Sequence, residues 1–329
     1  MNDFISVQNL AKTYRTHQRG SGIRDLVKSI FKREYVTVKA VDGISFSIRE
    51  GEIAGILGPN GAGKSTTIKM LTGTLHPSGG HIEVMGFHPA KDRMRYVREI
   101  GAVFGQKSQL IWDIPPIDSF QMNKAIYGIP DDRFQERLRL LKNLFELDGI
   151  VGKPTRVLSL GERMKCEFIM AMLHEPKIVF LDEPTIGLDV IAKQRIRDFI
   201  REMNRQGTTF ILTTHDLDDV EQLAHKVIII NHGQKVFDDS LPALQKSLGT
   251  KKLVELTLAA PFEGLSAEGV RVAEQKSAME VTLEADIEQI PIAAFMELLA
   301  KAYPFTDISI RSLPMEMIIT QIYEKRACD

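Results

Sequence analysis

The hydrophobic pattern of the first 240 residues predicts strands that alternate with helices. Mainly apolar runs, typical of strands buried on both faces of a parallel sheet, occur at 53–57, 100–104, 178–181, 209–213 and 227–230. Apolar and polar residues alternate over 44–48, which indicates a strand with one buried face. We expect another strand over 36–41 and a turn at Asp42-Gly43 between these two. The pattern therefore favours an α/β fold.

Helical spacing dominates the segment from about 110 to 172, where we expect a helical subdomain, and returns over 191–203. After Ser240 the pattern changes to short strands with polar connections, followed by helices at 291–302 and 315–324. The sequence therefore predicts two domains, 1–240 and 241–329. The second is a small α+β accessory domain, in whose sequence we find no motif that indicates a catalytic or metal-binding site.

An amphipathic segment interrupts the first domain at about 16–35. Its apolar residues share one helical face, namely Ile23, Leu26, Val27, Ile30 and Phe31. Its cations are Arg19, Arg24, Lys28, Lys32 and Arg33, against only Asp25 and Glu34. Two interpretations stay open for the helix at 20–34. It packs on its own domain, or it lies against anionic lipid headgroups or a membrane partner.

Composition narrows the class of protein. The 329 residues carry a net charge of -1, which gives no overall attraction to nucleic acid, and we expect no nucleic-acid partner. Only two cysteines are present, which disfavours a disulfide framework and suits a reducing compartment. We find no signal-peptide pattern and no apolar run near the ~20 residues that span a bilayer. A protein of this kind that works at a membrane needs another chain to supply the membrane part.

The candidate chemistry begins directly after the first of the buried runs. The residues there are Gly58, Pro59, Asn60, Gly61, Ala62, Gly63, Lys64, Ser65 and Thr66. They fit G-x-x-x-x-G-K-[ST] between a strand and a helix, which is the context of a phosphate-binding loop. Glycines let several backbone N–H groups point at one anion, and the helix adds its positive N-terminal end. Lys64 can reach the outer phosphates, while the Ser65 hydroxyl can bind Mg²⁺.

Other polar groups follow the later strands. Asp182 and Glu183 end the run at 178–181, so one carboxylate can support Mg²⁺ while the other polarises an attacking water. His215 follows the run at 209–213, at the strand end where parallel sheets place ligand groups. Leu158-Ser159-Leu160-Gly161-Glu162 opens a helix and offers a hydroxyl and free N–H groups to an anion.

Taken in order, these motifs over residues 4–240 resemble the nucleotide-binding subunit of an ATP-binding cassette (ABC) transporter. The resemblance implies the ABC ATPase fold, in which a RecA-like phosphate-loop core carries an antiparallel β subdomain and a helical subdomain. It implies an ATPase with ATP and Mg²⁺ as cofactors. It also implies separately encoded integral-membrane permeases, a homodimer, and a peripheral position on the cytoplasmic side of the membrane.

The resemblance also assigns roles to individual residues. The loop Gly58 to Thr66 would hold the phosphates, with Mg²⁺ bound by Ser65, Gln106 and Asp182. Glu183 would be the general base, and His215 would contact the γ-phosphate. Ser159, Leu160, Gly161 and Glu162 would form the signature that binds the partner subunit's ATP, and Asp189 would line the dimer interface. Tyr14 would stack on adenine, with Tyr35 as the alternative, and Gln109 is a weaker candidate for the role of Gln106.

The signature departs from the usual Leu-Ser-Gly-Gly-Gln, because Leu160 and Glu162 replace a glycine and the glutamine. Ser159 and Gly161 are present, so we expect a working site. Within the family, the extra C-terminal domain and the run at 181–189 look like bacterial exporters of the ABC-2 class. We expect the accessory domain to regulate or stabilise the dimer. The alternative function is a soluble ABC ATPase that acts on ribosomes or nucleic acid.

Overall fold

The computed structural model describes residues 3–17, 35–105, 107–147, 149–247 and 251–312. Contacts between Cα atoms divide the chain into two compact units, Met1–Asp239 and Ser240–Asp329. The sequence-predicted helices over 20–34 and 315–324 lie outside the described residues, as does Gln106.

Strands and helices alternate through the first unit. The strands are β1 Ile5–His17, β2 Tyr35–Ile48, β3 Ile53–Leu57, β4 Gly79–Val84, β5 Ile100–Phe104, β6 Ile178–Asp182, β7 Thr209–Thr214, β8 Lys226–Asn231 and β9 Gln234–Ser240. The helices are α1 Lys64–Leu71, α2 Arg93–Tyr96, α3 Pro116–Tyr127, α4 Asp131–Phe145, α5 Leu160–Met172, α6 Val190–Arg205 and α7 Leu217–Leu223. A short 3₁₀ turn, Thr155–Val157, precedes α5.

A six-stranded sheet in the order β5-β6-β7-β3-β8-β9 forms the centre of this unit. Strands β5, β6, β7, β3 and β8 pair in parallel. Phe180 on β6 belongs to one core cluster and its neighbour Leu181 to the other, and both are fully buried. Since successive side chains point to opposite faces, cores cover both faces of this sheet, as continuous apolar runs predict.

A three-stranded antiparallel sheet, ordered β2-β1-β4, shares a core cluster with one face of the parallel sheet. The sequence-predicted turn at Asp42-Gly43 is wrong. Strand β2 runs through both residues, and its pairing with β1 shifts between Leu10–Ile44 and Lys12–Val41. Gly43 has φ 72°, so it supplies the left-handed backbone of a bulge rather than of a turn. Glycine with a positive φ occurs in both bulges and turns, so the local sequence does not distinguish between them.

Helices α3 to α6 pack around the other core cluster. Phe145 of α4 stacks on Phe199 of α6 with ring centroids 4.2 Å apart, and Phe168 of α5 contacts both rings edge-on or tilted. All three side chains are buried. This aromatic contact joins the helical segment predicted over 110–172 to the helix that follows β6.

The second unit is an antiparallel sheet with one helix on it. After α8, Leu241–Ser247, the strands are β10 Lys251–Leu258, β11 Val270–Gln275, β12 Glu280–Asp286 and β13 Phe305–Ser312, with α9 at Ile292–Ala302. The strand order is β11-β12-β10-β13. Phe295 and Leu299 of α9 are fully buried against the sheet, which gives this unit its own core.

None of the helices within the described ranges combines the length and the apolar character needed to cross a membrane.

Candidate active site

The loop between β3 and α1 needs glycine at two close approaches. A Cβ at Gly58 would lie 2.2 Å from the Ile230 carbonyl oxygen, and one at Gly63 would lie 2.4 Å from the Ala40 carbonyl oxygen. Gly63 also has φ 109°, which side chains rarely permit, and it directly precedes α1. The backbone can therefore curl around an anion at the N-terminus of α1.

Lys64 folds over this loop. Its Nζ donates hydrogen bonds to the carbonyl oxygens of Gly58 at 2.7 Å and Pro59 at 3.2 Å. Burial lowers the pKa of Lys64, and the nearby carboxylates of Glu183 and Asp182 oppose that shift. The Lys64 amine thus lies between the loop carbonyls and two acidic residues, within donating distance of an anion held by the loop.

Asp182 lies at the end of β6, next to the start of α1. Its Oδ1 accepts hydrogen bonds from Ser65 Oγ at 2.9 Å and from Thr213 Oγ1 at 2.6 Å. The structure therefore brings together two residues that the sequence separates by more than a hundred positions. A hydroxyl beside a carboxylate is an oxygen-only donor set, which fits Mg²⁺, since that ion prefers oxygen ligands.

Glu183 and His215 meet at the ends of neighbouring strands β6 and β7. The Nδ1 atom of His215 lies 3.4 Å from Oε1 of Glu183. The Glu183 side chain is 15% exposed, while that of His215 is 55% exposed. Glu183 also has a left-handed backbone, with φ 53°, and its N–H donates to the Thr213 carbonyl oxygen at 3.0 Å. This geometry leaves a shielded carboxylate beside an accessible imidazole.

The signature begins α5. Ser159 is the N-cap residue, and its Oγ accepts from the Glu162 N–H at 3.2 Å. Glu162 returns the contact, because its Oε2 accepts from the Ser159 N–H at 2.8 Å. These hydrogen bonds lower the pKa of Glu162. The glutamate that departs from the usual signature therefore completes a capping box.

The signature packs on the segment that leads into α6. Leu160 Cδ2 would lie 3.2 Å from a Cβ at Gly187, and a Cβ at Gly161 would lie 3.2 Å from the Ala192 Cβ. Asp189 is the N-cap of α6, and its Oδ1 accepts from the Ala192 N–H at 2.8 Å. The predicted signature thus packs against the segment that carries the predicted interface residue Asp189. These contacts are separate from the hydrogen bonds of the phosphate loop.

The sequence predicts two aromatic candidates for adenine. Tyr14 lies on β1 opposite Val38, its side chain is 38% exposed, and Lys12 Nζ is 5.4 Å from its ring centroid. The side chain of Tyr35 lies outside the described part of the chain. Tyr14 is therefore the candidate whose ring the structure shows to be accessible.

Gln109, the weaker candidate for the role of Gln106, is engaged elsewhere. Its side-chain Nε2 donates to the Ala102 carbonyl oxygen at 2.5 Å, and its backbone N–H donates to the Glu167 carboxylate. These contacts attach Gln109 to β5 and α5. They leave its side-chain amide directed at strand backbone.

A buried ion pair that sequence reasoning missed supports the carboxyl ends of both β6 and β7. Arg197 of α6 donates through Nε to Asp219 Oδ1 at 2.7 Å, and both residues are buried. Asp219 also accepts from the hydroxyls of Thr185 and Thr214. The network fixes the turn after Glu183 relative to the segment before His215. No local pattern identifies it, since its members are spread over four separate segments, which are the turn after β6, α6, β7 and α7.

The described residues contain one other group able to hold a metal ion. His81 and Glu83 alternate on β4, and His88 follows in the next turn, so that their ligand atoms lie within 4.8 Å of one another. His81 and Glu83 are exposed. This group belongs to the antiparallel sheet rather than to the nucleotide site.

Comparisons with known proteins identify the family of the chain. The sequence model of the family described as ABC transporter matches residues 41–186. The ABC transporter ATP-binding protein NatA of Bacillus subtilis is 31% identical over 236 residues, which cover 72% of this chain and 96% of NatA. The Nod factor export ATP-binding protein I of Ralstonia nicotianae is 33% identical over 209 residues, covering 62% of this chain and 64% of that protein.

A solved structure shows the same fold at lower sequence identity. It is described as a dimeric post-hydrolysis state of the ATP-binding cassette MJ0796 bound to ADP and Pi. The TM-score is 0.60 at 21% identity, and the alignment covers 72% of this chain and 98% of that one. With a phosphate loop, two carboxylates and a signature in family order, the chain belongs to the ABC transporter family, as an ATP-binding and ATP-hydrolysing subunit.

Proposed function

We propose that the groups at the carboxyl ends of β3, β6 and β7 carry out ATP hydrolysis. The observation that carries this proposal is the side-by-side placement of two pairs, Ser65 with Asp182 and Glu183 with His215. In it Lys64 and the loop amides bind the phosphates, and Tyr14 stacks on adenine. Ser159, Leu160, Gly161 and Glu162 meet the nucleotide of a second subunit, whose interface includes Asp189.

Contacts of Lys64, Ser65 and Asp182 support these roles. Lys64 exchanges the loop carbonyls of Gly58 and Pro59 for phosphate oxygens when ATP binds. Glu183 accepts a proton from the attacking water, and His215 holds the γ-phosphate end of the site. Residues Ser65 and Asp182, together with Gln106, would hold Mg²⁺, which offsets charge on the phosphate oxygens when it is bound.

Glu183→Gln tests the assignment of the base. The substitution keeps side-chain size but removes the basic charge, and a positioned general base contributes typically ~10²–10⁴-fold to the rate. We expect ATP binding to survive, hydrolysis nearly to stop and an ATP-stabilised dimer to accumulate, measured by phosphate release and size-exclusion chromatography. Glu136→Gln on the exposed side of α4 is the control, and it should behave as wild type. Near-normal turnover of Glu183→Gln would assign the base to another residue.

We propose that the chain works as a homodimer bound to separately encoded membrane permeases, peripherally on the cytoplasmic side. The NatA and Nod factor relatives are described as transporter and export subunits, and the MJ0796 cassette is described as dimeric, which supports this assembly. Affinity capture from detergent-solubilised membranes, followed by mass spectrometry, tests it. Recovery of ribosomal proteins instead of a permease would favour the soluble alternative, to which the relatives lend no support.

The basic segment at 20–34 supplies a further contact in this proposal, with anionic headgroups or the permease. Its support is the sequence pattern over 19–34, where five cations and two acids give a net charge of +3, since the segment lies outside the described residues. Replacing Lys28, Lys32 and Arg33 with Gln should leave ATPase activity unchanged and weaken co-sedimentation with permease vesicles at low salt. Co-sedimentation equal to wild type would mean that the segment packs on its own domain.

The accessory unit has a regulatory or dimer-stabilising role in this proposal. The match to NatA spans 236 residues of this chain and 96% of the length of NatA. A cassette of about the size of the first unit therefore exists without such an accessory unit. Ending the chain after Ser240 should keep ATP binding and alter dimerisation. Loss of ATP binding by a folded truncated chain would contradict this role.

A further inference from the structure

Residues 108–110, which follow β5, are attached to the signature helix by one buried side chain. Glu167 lies on α5 and is 3% exposed. Its carboxylate accepts hydrogen bonds from the Gln109 N–H at 3.0 and 3.1 Å, from the Leu110 N–H at 3.4 Å, and from the Ser108 hydroxyl. Three successive residues of the loop therefore converge on one glutamate, which lies more than fifty residues further along the chain.

A carboxylate at this position is costly unless the loop surrounds it. Burial raises the pKa of Glu167, while the hydrogen bonds from Ser108, Gln109 and Leu110 oppose the shift. The neighbours of Glu167 on α5 include the buried apolar residues Cys166 and Phe168. Packing against such residues does not itself require a carboxylate. The carboxylate is thus explained by the amide and hydroxyl donors that it holds.

Contacts at both ends of the loop reinforce this attachment. At its start, the Gly105 N–H donates to the Asp182 carbonyl oxygen at 2.9 Å, next to the catalytic carboxylates. Further along, the guanidinium of Arg163 on α5 lies 5.5 Å from the centroid of the Trp112 ring. The loop therefore runs from the active-site strands to the helix that begins with the signature.

We propose that Glu167 is a positioning residue, which fixes residues 108–110 to α5 and so ties the signature helix to the loop that starts at the Asp182 backbone. The proposal rests on the roles proposed above for Asp182, Ser159 and Gly161. Because the Gly105 N–H bonds to the Asp182 carbonyl oxygen, releasing residues 108–110 from α5 disturbs the placement of the carboxylate end of β6 relative to the signature.

Two substitutions at Glu167 separate positioning from packing. Glu167→Ala removes every acceptor, whereas Glu167→Gln keeps an oxygen that can accept from the Gln109 and Leu110 N–H groups. The matched control is Asn123→Ala, because the buried Asn123 side chain donates to the Met170 carbonyl oxygen on the same helix, at 2.8 Å, and makes no hydrogen bond to the described residues 108–110. All variants are made in the full-length chain.

Hydrogen exchange and steady-state kinetics measure the effects of these substitutions. In Glu167→Ala the amides of Gln109 and Leu110 should exchange at least about tenfold faster. The kcat for ATP should fall roughly tenfold to a hundredfold, while KM changes by less than about twofold, because the phosphate loop is untouched. Glu167→Gln should recover most of both losses. Asn123→Ala should lower Tm without changing loop exchange.

Three results would overturn the proposal. One is unchanged exchange and kcat in Glu167→Ala, and another is faster loop exchange with normal kcat. The third is a loss of kcat that Asn123→Ala matches at equal loss of Tm, which would indicate packing alone. In each case a low rate for Glu183→Gln would leave the proposed function standing. A near-normal rate for Glu183→Gln would instead undermine that function, even if loop exchange shows that Glu167 holds the loop.

Discussion

Glu183 combines an unfavourable backbone with the position proposed for the base. Its φ of 53° is left-handed, a conformation that costs a residue with a side chain about 1–2 kcal/mol. The Glu183 N–H hydrogen-bonds to the Thr213 carbonyl oxygen at 3.0 Å, and Asp182 before it is held by two hydroxyls. Neighbouring strands therefore stabilise a conformation that the residue alone would avoid, and this directs the carboxylate towards His215.

Gly105 tests how tightly that backbone is held. A Cβ at this position would lie 2.3 Å from the Glu183 carbonyl oxygen, so in Gly105→Ala the backbone of the proposed base or of residue 105 must shift away from the other. We expect kcat to fall at least about tenfold and the free energy of unfolding to fall by about 1–3 kcal/mol, with ATP affinity retained. Phosphate-release kinetics and urea denaturation measure the two effects.

Gly79→Ala is the control for this substitution, because its Cβ would meet only the Ala11 Cβ, at an ordinary 3.8 Å. It should change the rate and the unfolding free energy little. If Gly105→Ala hydrolysed ATP as fast as Gly79→Ala, the position of the Glu183 backbone would not limit catalysis.

At the residue scale, the sequence predicts groups whose chemistry follows from local context. Asp182 and Glu183 are identifiable because they end an apolar run. The spacing of Ser159 and Glu162 fits a capping box. A comparison with the usual signature shows Glu162 only as a departure and does not reveal this role. The contacts of Glu167 with Ser108 and of Asp219 with Thr185 are not predictable. These hydrogen bonds join residues that are more than thirty positions apart, and no local pattern records such pairs.

At the element scale, the buried parallel strands are the most predictable part of the fold. Their apolar runs occur at the predicted places because both sheet faces are covered, which leaves few alternatives. The error in β2 has a physical reason. Asp42-Gly43 has the composition of a turn. However, the pairing of β2 with β1 continues past these two residues, so they form a bulge instead of the expected turn.

The bulge predicts a measurable cost for a side chain at Gly43. This residue has φ 72°, and a Cβ added to it would meet nothing within 4 Å, so Gly43→Ala changes backbone strain without a clash. We expect the free energy of unfolding to fall by about 1–2 kcal/mol in urea denaturation. Gly152→Ala is the matched control, since Gly152 is also exposed with open surroundings but is not left-handed. Equal stability of the two variants would contradict a strained bulge.

At the scale of the whole molecule, the first unit exposes apolar side chains beside its proposed interface. Val190 and Ile191, which follow Asp189, are 82% and 76% exposed, and Val157 before the signature is 61% exposed. Large exposed apolar side chains that cluster on a surface are typical of contact sites. Their position next to the signature and to Asp189 supports a second copy of the chain as the group that covers them.

Sharing of sites between two copies can be tested by mixing two inactive chains. Lys64→Ala damages the phosphate loop, and Gly161→Asp damages the signature and also crowds Ala192. Each homodimer should be inactive. A heterodimer combines the intact Lys64 of one chain with the intact Gly161 of the other, so one of its two sites is complete.

Statistical mixing at equal amounts should restore roughly a quarter of the wild-type rate if the sites act independently. Phosphate release across a series of mixing ratios measures this, with the maximum expected at equal amounts. A rate that stays at the level of the separate variants at every ratio would mean that each chain completes its own site.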